Sequence, residues 1–85
     1  MSPAVQLNVD ASGQHYLLSV VATDRLGLLY AVARVLASHG VNVQTAKILT
    51  LGERVEDVFL IDGPALAQPK RQLQLERDLL EALSP

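Results

Sequence analysis

The chain has 85 residues, 49% hydrophobic and 19% charged, with no cysteine, no tryptophan and a formal net charge of −2. These values bound it to one small domain that folds without disulfides or thiolate-held metal. Its seven basic residues form no stripe and only Tyr16, Tyr30 and Phe59 are aromatic, so the positive footprint and stacking platform of a nucleic-acid binder are missing.

Residues 1–50 hold Asp10 and Asp24 against Arg25, Arg34 and Lys47, whereas residues 51–85 hold seven acids against four bases. No apolar run approaches the roughly 20 residues that span a bilayer. Residues 1–10 also lack the basic start and apolar stretch of a signal peptide. A cytoplasmic protein without membrane contact is expected. A chain this short buries only somewhat more than about 60% of its unfolded surface, which leaves apolar surface for self-association.

Val5, Leu7 and Val9 alternate with Gln6, Asn8 and Asp10, the period-2 pattern of a strand with one buried face. Asp10, Ala11, Ser12 and Gly13 supply a turn, and His15 to Thr23 reads as the second strand of a hairpin. From Leu26 the period changes. Leu28, Leu29, Val32, Val35 and Leu36 fall on one side of a helix, which Gly40 ends as a left-handed cap. His39 lies in its last turn, where a cap-region role outweighs metal ligation, since a metal needs several convergent ligands.

Val41 to Leu51 is rich in β-branched residues and reads as one strand. Its apolar phase moves from Val41 and Val43 to Ala46 and Ile48, which predicts a bulge near Gln44 and Thr45. After the turn at Leu51 to Arg54, the strand Val55 to Asp62 carries apolar residues in both phases and is expected to be covered on both faces. Asp57 within it is expected on an uncovered sheet side or at an interface. Asp62, Gly63 and Pro64 break the sheet. The last helix is predicted from about Lys70 to Leu83, behind Pro69, with Leu73, Leu79, Leu80 and Leu83 buried and its charged residues solvated.

Two strands, a helix, two strands and a helix predict an α+β, ferredoxin-like two-layer sandwich. Both helices lie on one face of an antiparallel sheet of about four strands. From His15 onward the order matches a ferredoxin-like unit without its last strand. The N-terminal hairpin strand, paired with His15 to Thr23, is expected to replace it at the sheet edge.

Asp24, Arg25, Leu26, Gly27, Leu28 and Leu29, followed after the helix by Gly40, Asn42 and its flanking valines, resemble the D-R-P-G-L-L and G-(V/L)-N-(I/V) motifs of the ACT family. Leu26 stands where that family usually has proline; without proline's fixed φ the helix's first turn is loosened slightly but not abolished. Ala46 to Gly63, AKILTLGERVEDVFLIDG, is similar to the C-terminal ACT domain of bacterial enzymes that add and remove uridylyl groups on the PII nitrogen-signalling protein. The resemblance implies that residues 1–85 are a single ACT domain of a larger enzyme. It also implies an amino-acid ligand, glutamine, and control of nucleotidyltransferase and hydrolase domains outside this chain.

The junction Asp24 to Leu28 directs free N–H groups and the positive end of a helix dipole at whatever lies above it, a place suited to a carboxylate. Gly27 lets a ligand approach the backbone. Asp24 either caps the helix or accepts a ligand ammonium. By resemblance, Asp24, Arg25, Gly27, Leu28 and Leu29 form one wall of the ligand site. Asn42, often from a neighbouring domain, forms the other. From the residues alone, Asp24 as a cap, Gly27 as relief of crowding and Asn42 as a partner for turn backbone remain open.

No nucleophile, phosphate loop or metal-ligand motif is recognisable. The chain by itself is expected to be a regulatory domain without catalysis or cofactor. It is expected to act as a homodimer or paired with a second ACT domain. The alternative is an assembly module that binds nothing small.

Overall fold

The computed structural model describes residues 2–84. Chain order runs β1 (Ala4–Val9), β2 (Tyr16–Thr23), α1 (Leu28–Ser38), β3 (Asn42–Lys47), β4 (Thr50–Leu51), β5 (Arg54–Asp62) and α2 (Pro69–Leu83), with a 3-10 turn at Pro64–Ala67. The strands form one antiparallel sheet ordered β1-β2-β5-β3, with β4 pairing β5 beyond the end of β3. The two-layer α+β architecture is the expected one, with five strands rather than about four.

The hairpin forms because Asp10 satisfies its own turn. Its side chain accepts the Ser12 N–H, its carbonyl accepts the Gly13 N–H at 3.0 Å, and its N–H closes on the His15 carbonyl at 2.9 Å. The resulting register sets Val5 opposite Val20 and Leu7 opposite Leu18. Those four side chains therefore share the helix side of the sheet, and Val5 and Leu7 pack against the core. β1 thus lies at the edge beside β2, as the hairpin requires.

Leu28, Val32 and Leu36, spaced by four, are the buried stripe of α1. Leu29, expected in that stripe, stands instead on its rim and is 49% exposed. The helix closes in a Schellman arrangement. Gly40, at φ 68°, gives its N–H to the Ala37 carbonyl, and Val41 gives its N–H to the Leu36 carbonyl, both at 3.0 Å. His39 is the cap residue, and its Nε2 lies 2.8 Å from Asp78 Oδ2 of α2, so it joins the C-terminal end of α1 to the second helix.

Three expectations need correction. The strand foreseen over Val41 to Leu51 is two strands, because the Leu49 N–H turns to the Asp57 carboxylate and leaves the regular ladder. Its bulge does fall at Gln44, between the pairs Val43–Ile61 and Thr45–Leu60. β5 is sealed on one face only. Val55, Asp57, Phe59 and Ile61 are buried toward the helices, while Glu56, Val58, Leu60 and Asp62 are half-buried or exposed on the other face. In α2 the buried stripe is Leu75, Leu79 and Leu83. Leu73 is 66% exposed and Leu80 lies on the rim, since four-residue spacing from Leu79 selects Leu75 and Leu83.

One core holds the layers together. Leu18, Val20 and Ala22 of β2, Phe59 and Ile61 of β5, and the two helix stripes form a single buried cluster. Each fully buried Leu or Ile in it contributes about 1.5–3 kcal/mol relative to exposure. Gly63 ends β5 at φ 153°, where an added Cβ would meet the Gly40 carbonyl oxygen at 3.0 Å. This close approach fixes the two helix-proximal turns against each other.

Candidate functional site

β2 leads directly into the loop that begins α1. The Asp24 N–H donates to the Glu53 carbonyl at 2.7 Å, which pins the loop's first residue to the turn before β5. Arg25 then closes a tight turn, its carbonyl accepting the Leu28 N–H at 3.2 Å. Gly27 takes φ 80° and ψ 2°, a left-handed conformation, and stands at the helix N-cap without a side-chain cap. Asp24 is therefore not the cap, and the hydrogen bonds of the described residues engage neither the Leu29 nor the Tyr30 N–H. These are the orphan donors that every helix start leaves, and the positive end of the α1 dipole lies with them.

An added Cβ at Gly27 would meet nothing within 4 Å. Relief of crowding is thus not its role. It supplies the left-handed turn and leaves open space above the backbone. That space is a cleft of about 450 Å³ lined by Asp24 to Tyr30, Ile48, Thr50, Val55 and Asp57. It falls within the size range of small-ligand pockets. Five of the six sequence-derived site residues, Asp24, Arg25, Gly27, Leu28 and Leu29, line it together.

Arg25 contributes to the cleft in a particular way. Its guanidinium donates to the Ala82 carbonyl at 2.6 Å, in the last turn of α2, where a cation meets the negative end of the helix dipole. The side chain is thereby a tie between the loop and α2. Leu26, at the family's proline position, is fully exposed on the cleft's lip.

Asn42 lies elsewhere. It pairs with Asp62 at the opposite end of β5, and its Nδ2 donates to Asp62 Oδ1 at 3.2 Å. It therefore does not act as a partner for turn backbone. Gln44 Nε2 donates to Asp62 Oδ2 at 2.6 Å, and His15 Nε2 is 3.6 Å from the same oxygen. Asp62 follows Asp57, the cleft residue nearest to it on β5, by five positions, about 17 Å along an extended strand, and Asn42 is not among the residues that line the cleft. Asn42 and the cleft of one chain therefore do not meet.

Asp57 does not lie on the uncovered sheet side, the first of the two places expected for it. It is 6% exposed and lines the cleft floor from the helix side of β5. Its Oδ1 accepts the Leu49 N–H at 3.2 Å, and no donor of the described residues reaches Oδ2. Burial pushes its carboxyl above the usual carboxylate range; the Leu49 hydrogen bond opposes that shift, and the nearby Asp24 charge adds to it. The missed signal was phase: Asp57 shares odd register with Val55, Phe59 and Ile61.

The ACT domain family model matches residues 16–74, from the start of β2 into α2. The chain belongs to the ACT domain family. This ACT domain is 64% identical over 85 residues to a bifunctional uridylyltransferase/uridylyl-removing enzyme of Cupriavidus metallidurans, covering 99% of this chain. It is 65% identical over the same length to the enzyme of that name from Ralstonia nicotianae. The similarity is to the C-terminal region of such enzymes, and the chain spans about a tenth of the length of the curated relatives it matches. A solved structure described as an unknown protein from Galdieria sulphuraria shares the fold at a TM-score of 0.65 and 26% identity, over 78% of this chain and 39% of that one. ACT domains are regulatory. No helix among the described residues is long and apolar enough to cross a membrane.

Proposed function

We propose that this ACT domain senses a small amino acid, glutamine, and thereby controls uridylylation and deuridylylation of the PII nitrogen-signalling protein by catalytic domains outside residues 1–85. The observation that carries this reading is the cleft. It sets two unengaged N–H groups at a helix start beside the Asp24 carboxylate, so both charged groups of an amino acid find partners. Similarity along nearly the whole of this chain to uridylyltransferase/uridylyl-removing enzymes, of which it spans about a tenth, supports a setting beside uridylyl-transferring and uridylyl-removing domains.

In this reading the ligand's carboxylate lies on the Leu29 and Tyr30 N–H groups, with Gly27 and Leu28 forming the wall beneath it. Asn42 of a second ACT unit closes the cleft from outside, since its own chain holds it too far away. A ligand gripped between two units favours the arrangement that brings them together, and only such differential affinity transmits a signal. In this reading the second unit is another copy of this chain, so the chain alone completes the site.

Calorimetric titration of the chain with L-glutamine, with D-glutamine and L-glutamate as controls and sedimentation at the same concentration, tests the proposal. Saturable, stereoselective binding of L-glutamine by an associated species is expected. Concentration-dependent association of a folded chain without any amino-acid binding would replace it with the assembly-module reading.

A further inference from the structure

We infer that Asp57 is a specificity-determining residue of the cleft, sharing with Asp24 the ammonium group of a zwitterionic α-amino acid. This rests on the reading of the cleft as an amino-acid site and adds a residue to it that neither the family motif nor the sequence analysis supplied.

Two observations, independent of the helix N-terminus, carry it. The first is placement. Asp57 is an acidic residue in an otherwise apolar phase of β5, 94% buried by its 6% exposure, and it lines the same cleft as Asp24 and the Leu29 and Tyr30 backbone. A carboxylate there costs stability unless something compensates it. The second is its incomplete partnership. Oδ1 takes the Leu49 N–H, whereas no donor of the described residues reaches Oδ2. No sealed side-chain oxygen or nitrogen among the described residues lacks a partner, so Oδ2 is not sealed, and the cleft is the space that Asp57 lines.

The chemistry of the occupant follows. The Asp24 charge adds to the burial that disfavours ionisation of Asp57, and a monocation placed at both carboxylates relieves that repulsion and the desolvation together. A neutral amide N–H satisfies the lone pairs but leaves both charges. No third metal-ligating side chain joins them among the described residues. The Arg25 guanidinium is held on the Ala82 carbonyl. A compact organic cation carrying an adjacent carboxylate for the helix start meets all three requirements, and an α-amino acid is that molecule.

Asp57→Asn is the informative variant, because the amide oxygen retains a place for the Leu49 N–H while the charge is lost. L-glutamine and 5-amino-5-oxopentanoate, which lacks only the α-ammonium, are titrated into the wild-type chain and into D57N. The wild type is expected to prefer L-glutamine. D57N is expected to lose roughly tenfold or more of that affinity, the scale of one charge-assisted hydrogen bond, while binding the desamino analogue no more weakly than the wild type does. Equal L-glutamine affinity in both chains would overturn the role of Asp57 and leave the amino-acid reading standing. Absence of L-glutamine binding by the folded wild type would overturn both. A second measurement needs no variant: NMR titration of the Asp57 carboxyl is expected to show its pKa falling when L-glutamine saturates the chain, and an unmoved pKa would contradict the contact.

Discussion

Asp57 Oδ1 accepts the N–H of Leu49 at 3.2 Å, and this single bond both interrupts the outer strand and holds a carboxylate under the mouth of the cleft. Between β3 and β4 the backbone gives up one ladder position so that a side chain can take it. Ile48 in the gap and Thr50 at the start of β4 line the cleft.

Burial raises the Asp57 pKa, and the sign of its effect on stability follows. The fold holds the proton more tightly than the unfolded chain does, so the stability linked to this group is full below the unfolded pKa and is lost as pH rises through the folded one. Asp57→Asn is insensitive to that loss. Thermal melts of both chains from about pH 4 to about pH 7 are expected to show the variant's advantage growing with pH and then levelling. A constant difference across the range would contradict the assignment.

The stripe on α2 predicts a contrast between leucines on one helix. Leu75→Ala and Leu79→Ala empty fully buried positions and are expected to cost about 2–5 kcal/mol each in urea unfolding. Leu73→Ala, at an exposed position, is expected to change stability by no more than about 0.5 kcal/mol.

Gly63 cannot accept a side chain in place. At φ 153° a Cβ meets the Gly40 carbonyl oxygen at 3.0 Å, with backbone on both sides of the contact. Gly63→Ala is expected to destabilise the chain by about 1–3 kcal/mol, read as a lowered urea midpoint at unchanged slope.

Much of this was legible in the sequence because the signals were local. Asp10 to Gly13 carry their own hydrogen-bonding groups, Gly40 ends a clean helical period, and the phase change after Val43 can come only from an extra residue. The errors share a cause: tertiary choices between equivalent apolar faces. Leu73 and Leu80 have the same helical spacing as a buried pair, and only the position of the sheet selects Leu75, Leu79 and Leu83 instead. Val58 and Leu60 gave β5 a second apolar phase, which disguised the one that is sealed and left the face of Asp57 undecided. At the site, the motif located the loop from Asp24 to Leu29. It did not show that the Arg25 side chain is engaged by α2 or that Asn42 lies at the far end of the sheet, because both depend on elements distant in sequence.

The Arg25 tie separates two roles of the loop. Arg25→Ala removes the 2.6 Å bond to the Ala82 carbonyl and is expected to cost about 1 kcal/mol. Amide hydrogen exchange is expected to quicken around residues 24–28 and in the last turn of α2 together. Faster exchange in the loop alone would show that the two segments are not coupled.

The central claim is that the start of α1 and the floor of β5 receive one amino acid. Amide NMR of the chain titrated with L-glutamine tests it most directly. The account predicts saturable shifts that are largest at the Leu29 and Tyr30 N–H groups and at Leu49, whose N–H rests on Asp57, with D-glutamine leaving them unmoved. Saturable shifts centred on Asn42, Gln44 and Asp62 with the α1 start silent, or no shifts from a folded chain, would contradict it.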